Sequence, residues 1–138
     1  MTTLAAETVL IPANTVVTAK GDGQAVDVSG AAGRVLLATL SITKIIEQES
    51  LDVAIFGSAD GVTWELKSLA AFRQEFYCGE YPLLLDLSAH PNVKFVRAHW
   101  DVARWGRGAE TPLFEFGVTM REVPADILKE TTVRVAEN

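Results

Sequence analysis

The chain reads as an all-β protein: a single antiparallel β-sandwich, jelly-roll-like, with extended N- and C-terminal arms. Three observations predict this. Residues 34–46, 93–105 and 113–123 alternate apolar and polar side chains over lengths that suit long strands. About eight strand-like segments follow one another at short spacing between turn signals, with no helical pattern interleaved that would build a parallel sheet. The length, 138 residues, is that of one domain, and a chain of this size buries about 68% of its unfolded surface, enough for one core.

Residues 1–20 read as an extended arm. Residues 8–11 and 15–18 are β-prone, and Pro12-Ala13-Asn14 interrupts them with a residue that cannot donate to a ladder. Such an arm can pair within its own sheet or with a neighbouring subunit. Residues 21–123 form the sandwich domain. Gly21-Asp22-Gly23 predicts a turn, residues 24–28 a brief strand, and Ser29-Gly30-Ala31-Ala32-Gly33 a loop. GDG lacks the periodic oxygen ligands of a calcium loop.

The strand over residues 34–46 places Leu36, Ala38, Leu40 and Ile42 on the face predicted to be core. After a polar connection at residues 47–50, Leu51, Val53 and Ile55 point one way and Asp52, Ala54 and Phe56 the other, with Phe56 covering the second face. A hairpin is expected next, turning at Asp60-Gly61 and returning in a strand from Trp64. Residues 65–76 satisfy a two-residue and a 3.6-residue period about equally and are read as β or loop. Residues 81–87 form another strand with Pro82 near its start. Residues 93–105 follow, with Val96, Ala98, Trp100 and Val102 in the core set. In residues 113–123, Phe114, Phe116, Val118 and Met120 alternate with Glu115, Gly117, Thr119 and Arg121. Residues 124–138 are a polar C-terminal tail with one β-prone island at 131–135.

Composition narrows function. The formal charge of −6 disfavours direct nucleic-acid binding, which draws its sequence-independent affinity from clustered Lys and Arg, and favours solubility at high concentration. Cys78 is the one cysteine, so an intrachain disulfide and a cysteine metal cage are excluded, and it is expected to be a small buried core residue. The first residues lack a basic segment followed by an apolar run, and no stretch approaches the ~20 apolar residues of a membrane span. Synthesis in the cytoplasm and no membrane partner are the expectation.

Chemistry-bearing constellations are few. His90 and His99 have no ligand spacing to each other or to carboxylates, no nucleophile elbow or glycine-rich phosphate cradle is present, and Asp52, Asp86, Asp101, Glu110 and Glu115 are scattered. No catalytic residue, metal or cofactor is therefore assigned. Two groups stand out. In the first, Ser58, Asp60, Gly61 and Trp64, Asp-Gly supplies positive φ for a tight turn while Ser58 and Thr63 satisfy local backbone groups. The other reading of these residues is a ligand-facing rim, with Asp60 accepting hydroxyls and Trp64 as a stacking plate. In the second, Arg104-Trp105-Gly106-Arg107-Gly108 sets two guanidiniums around an aromatic ring at a loop, with Arg97 extending the patch. Either Trp105 folds over the sandwich end while the arginines pair with acids, or the group is a subunit or ligand contact, where Trp and Arg serve as anchors.

The wording GSADGVTW over residues 57–64 resembles the Ser-x-Asp-Gly-x-x-Trp hairpin of discoidin-type β-sandwiches. The wider layout, about residues 35–120 and including a later strand bearing Val96-Arg97, resembles small jelly-roll virion proteins of bacteriophages, of the decoration or head and tail accessory type. Discoidin domains often tie their ends with a disulfide, which one cysteine cannot make. The resemblance implies a non-enzymatic structural protein that assembles as or on a larger particle in the host cytoplasm and resides in the virion. It implies partners that are further copies of the chain and other virion proteins such as a capsid protein. The alternative is a carbohydrate-binding module whose glycan stacks on Trp64, Trp105, Tyr77 or Tyr81 beside Asp60, Arg104 and Arg107.

Overall fold

The computed structural model describes residues 7–31, 34–46, 48–105 and 111–123. Its strands are β1 (Thr8–Val17), β2 (Gly21–Asp22), β3 (Val26–Asp27), β4 (Val35–Ile45), β5 (Glu49–Ser58), β6 (Ala70–Ala71), β7 (Gly79–Asp86), β8 (Phe95–Arg104) and β9 (Phe114–Glu122). They form two antiparallel sheets. One runs in the order β1-β9-β4-β7 and the other β2-β8-β5-β6, with β3 also paired to β8. There is no helix among the described residues, so none is long and apolar enough to cross a membrane. The chain is an all-β sandwich, as its alternation predicts.

The core is one cluster drawn from both sheets. Leu36, Ala38, Leu40 and Ile42 of β4 and Phe114, Phe116, Val118 and Met120 of β9 bury their side chains from the first sheet. Leu51, Val53 and Ile55 of β5 and Val96 and Ala98 of β8 do so from the second. Alternation forces this arrangement, because successive Cβ atoms leave opposite faces of a strand and only one face can meet the other sheet. Trp100 belongs to the same inward set and is half-buried. Its ring meets Phe116 edge-on at 5.9 Å across the two sheets, and its Nε1 donates to the Ala19 carbonyl at 2.9 Å.

The segment expected as an N-terminal arm is, from Thr8 onward, part of the domain. β1 pairs with β9 along its length, with Leu10, Ile11 and Val17 buried. Of the two pairings open to it, the structure takes the one within its own sheet. Pro12-Ala13-Asn14 makes a bulge: the register slips between Ile11 and Thr15, Asn14 adopts φ 62°, and Thr15 Oγ1 donates to the Pro12 carbonyl at 2.6 Å. The bulge presses against Gly117, where an added Cβ would lie 2.8 Å from the Ala13 Cα. A proline and a bulge on an edge strand also blunt it against pairing with other chains. The C-terminal tail, residues 124–138, lies outside the described residues.

Three further expectations are corrected. Gly21-Asp22-Gly23 does not turn; Gly21 and Asp22 form β2 against Trp100 and His99. The glycine is needed because the backbone passes directly over the indole, where a Cβ on Gly21 would lie 2.7 Å from Trp100. No return strand begins at Trp64. The chain follows the edge of β5 irregularly, with Glu65, Leu69, Phe72 and Glu75 amides donating to the carbonyls of Gly57, Ile55, Val53 and Leu51 at 2.8–3.1 Å, and only Ala70–Ala71 regular enough to count as strand. Spacings of four, three and three residues on this side against a steady two on β5 break the ladder. Cys78 is exposed, because it sits in the turn before β7 and not on an inward strand position.

Two polar clasps close the ends. Glu49 is buried, and its carboxylate accepts from Ile46 N at 2.9 Å and Leu113 N at 2.8 Å, joining the β4–β5 turn to the approach to β9. The Arg34 guanidinium donates to the carbonyls of His90 at 2.8 Å and Val93 at 2.9 Å, holding the loop before β8.

Gly117→Ala should lower stability by about 1–3 kcal/mol, the usual cost of overpacking, and speed hydrogen exchange in β1 before other strands. Unchanged exchange of β1 would mean that the bulge is not pressed on Gly117. Glu49→Gln leaves one oxygen for two backbone donors and points an NH2 at the other, so a loss of about 1–3 kcal/mol is expected in denaturant unfolding. A neutral result would remove the clasp.

Candidate functional site

The Ser58–Asp60 group is built from its own backbone. Ser58 is fully buried at the end of β5. Its Oγ accepts from Gly61 N at 2.9 Å and Asp60 N at 3.2 Å, and its proton reaches the Thr63 carbonyl at 2.6 Å. Asp60 Oδ1 accepts from Val62 N and Thr63 N, each at 2.8 Å, and lies 2.9 Å from Ser58 Oγ. The Thr63 and Val62 amides, then Ser58, hold the Asp60 carboxyl below its ordinary pKa. Gly61 takes φ 80° and lies against Phe95, so a Cβ there would be both strained and crowded at 3.3 Å. Asp60 Oδ1 is therefore engaged by the loop's own backbone and by Ser58, which fixes the path of the chain toward Trp64.

Trp64 lands on the outer face of the second sheet. The Arg97 guanidinium lies over its ring, Cζ 4.4 Å from the centroid, a cation–π contact. Arg97, His99 and Asp101 occupy the outward positions of β8 because Val96, Ala98 and Trp100 take the inward ones. β2 then brings Asp22 alongside: its Oδ1 lies 2.8 Å from His99 Nδ1 and 3.7 Å from Arg97 Nε. Phe56, opposite Arg97 on β5, meets the His99 ring edge-on at 5.9 Å. With Glu65 and Leu66 these side chains line an open depression of about 340 Å³. Arg97 Nε is buried and has no hydrogen-bond partner among the described residues. Of this group the sequence singled out Trp64 and Arg97. Asp22 read as a turn residue and His99 as an ordinary strand residue.

Arg97 does not extend the loop after β8. Seven positions of extended strand, about 23 Å, separate it from Arg104, and the odd spacing puts the two on opposite faces. Arg104 ends β8 opposite Glu49. Trp105 follows, tied by its amide to the Gln48 carbonyl at 2.9 Å. Its ring is half-buried, 48% exposed, and meets Phe76 edge-on at 6.0 Å, and Phe76 lies 6.3 Å from Tyr77, which is 72% exposed. Tyr81 braces this cluster by donating its hydroxyl to the Tyr77 carbonyl at 2.7 Å. Desolvation, with Glu75 and Cys78 behind it, pushes that hydroxyl above its ordinary pKa and keeps it a donor. Arg107 lies outside the described residues.

Among the described residues no group of three or more His, Cys, Asp and Glu side chains converges as a metal site would require. No protein-family model matches the chain, and no curated protein does.

A carboxylate with a depressed folded pKa stabilises the fold above its unfolded value and loses that contribution as pH falls through the depressed one. Asp60→Asn should therefore lower the melting temperature at neutral pH, with the gap to the unmodified protein closing as pH drops below 3.8, the ordinary value. A gap that persists unchanged at low pH would mean that the charge on Asp60 does nothing for the loop.

Proposed function

We propose that this protein is a non-enzymatic structural protein that assembles as or on a larger particle, a bacteriophage virion protein of the decoration or accessory kind. The observation that carries the reading is the exposed cluster of Phe76, Tyr77 and Trp105 at one end of the sandwich. Aromatic rings are among the side chains that anchor protein interfaces. The backbone that carries the rings is tied down by the Trp105 amide and the Tyr81 hydroxyl, so less backbone freedom is lost when a partner covers them.

The strand order supports the jelly-roll part of the reading. The long strands β4, β5, β7, β8 and β9 alternate between the two sheets, and β1 neighbours β9, as in double-sheet folds of capsid proteins. The same architecture also serves lectins, so the order by itself selects a scaffold and not a function. The net charge of −6 suits a protein carried at high local concentration on a particle. Further copies of the chain, and a capsid protein, are the partners this reading names, and the virion is its location.

Light scattering over a wide concentration range tests it. The unmodified protein should form a discrete oligomer or bind purified phage capsids. Tyr77→Ser with Trp105→Ser should weaken that association by about thirtyfold or more, the scale of a lost hot spot, with the melting temperature unchanged. Monomer at every concentration, with and without capsids, would remove the reading.

A further inference from the structure

We propose that the outer face of the first sheet, β1-β9-β4-β7, pairs with the same face of a second copy of the chain. The two β9 strands lie antiparallel over each other, so that Arg121 of each copy meets Glu115 of the other. This contact is separate from the aromatic end. Trp105 follows β8, and Glu75, next to Phe76, bridges to Leu51 of β5, so those rings belong to the other sheet. The face contact by itself closes a two-fold dimer, and the rings carry what the assembly adds beyond it.

The two outer faces of the sandwich differ in character. On the second sheet Asp22, Arg97, Asp52 and Asp101 put charge across the face. On the first, cross-strand partners share a side, and Val9, Thr119, Thr39 and Pro82 are partners in turn from β1 to β7. That row is uncharged from edge to edge. The next row holds Arg121, Leu37 and Leu84. Val9 and Val16, whose partners Thr119 and Glu115 point outward, are both exposed. Each edge strand of this sheet carries a proline, Pro12 in β1 and Pro82 in β7, and proline cannot donate to an added strand. A second copy is thereby directed to the face and not to an edge.

Charge and relief then fix how two such faces meet. Glu115 and Arg121 project outward from β9, because Phe114, Phe116, Val118 and Met120 take the inward positions. Six positions of strand, about 20 Å, separate them, so they do not meet within one chain, and neither forms an ion pair among the described residues. A two-fold axis between the faces, crossing the strands at Val118, reverses β9 upon itself and brings Arg121 over Glu115 twice in one dimer. The same axis matches the relief. An added Cβ on Gly117 would meet Ala13, so Pro12-Ala13-Asn14 stand over Gly117 as a ridge, tied to β4 where Thr43 Oγ1 donates to Asn14 Oδ1 at 3.3 Å. Thr119 and Thr39 beside it are a floor of short side chains, and the axis seats each ridge on the other copy's floor. Four strands about 4.8 Å apart and the nine residues of β9 at about 3.4 Å each give a face of roughly 600 Å². Two such faces bury about 1,200 Å², the lower bound for stable, specific interfaces.

Sedimentation equilibrium of the full chain carrying Tyr77→Ser and Trp105→Ser, which removes the aromatic contact, tests the proposal. A dimer is expected. Glu115→Arg sets guanidinium against guanidinium at two places in it, and Arg121→Glu sets carboxylate against carboxylate. Each should weaken dimerisation by about tenfold or more, with the melting temperature unchanged. Glu115→Arg combined with Arg121→Glu should restore it. Because the two positions stand about 20 Å apart in one chain, restoration requires a second copy. Arg121 is exposed, so Arg121→Glu and the combined variant keep the test valid where Glu115→Arg alone disturbs the fold. Monomer at every concentration, the result if residues 124–138 of the same chain cover the face, would overturn the proposal. A dimer indifferent to both single exchanges, or one that the combined exchange fails to restore, would overturn it equally.

Discussion

The two-residue period of β8 is the constraint on which both surfaces of the second sheet depend. Its inward positions must be Val96, Ala98 and Trp100 because only these can meet Phe116 and the rest of the core. Arg97 and His99 are thereby forced outward, side by side and over Phe56. A slip of one residue would bury the Arg97 guanidinium and the polar His99 ring and expose the Trp100 ring, a cost large against the marginal stability of a domain. The same strand ends at Arg104, and so sets where the chain leaves the sheet and where Trp105 emerges. Packing, in this protein, determines chemistry at a distance of one side chain.

Elements near the sheet ends then refine what the strand places. Ser58 and Asp60 convert the end of β5 into a rigid loop, and Trp64 is carried to Arg97 by that loop and not by a strand. Gly21 lets β2 cross the Trp100 indole and deliver Asp22 to His99. Glu49 anchors the turn whose Gln48 carbonyl receives the Trp105 amide. Ser58, Asp60 and Glu49 are polar groups whose hydrogen bonds go to nearby backbone, the condition for polar groups to fix geometry and not to loosen it.

What could be read from the sequence follows from the range of the interactions. The faces of β4, β5, β8 and β9 were visible because alternation is a property of each strand by itself. The Ser58-Asp60-Gly61-Trp64 motif was visible as a turn, but its form was not: Asp-Gly favours a two-residue hairpin only when both flanking segments keep the ladder, and residues 65–75 do not. Asp22 and His99 stand 77 residues apart and meet only because β2 pairs with β8, a register that no local pattern encodes. β1 looked like an arm because Pro12 interrupts it, and only the bulge against Gly117 reconciles proline with a sheet. The sequence assigns Arg97 and Trp64 to different groups; their stacking depends on a loop path that is tertiary in origin.

On the proposed assembly role, contacts with other subunits would lie at the end of the sandwich that carries Phe76, Tyr77 and Trp105. Electron microscopy of the assembled protein tests that most directly. Closed, symmetric assemblies or capsid-bound subunits whose contact surface contains these rings are predicted. Isolated subunits in every preparation, or a contact surface that leaves the rings in solvent, would contradict it.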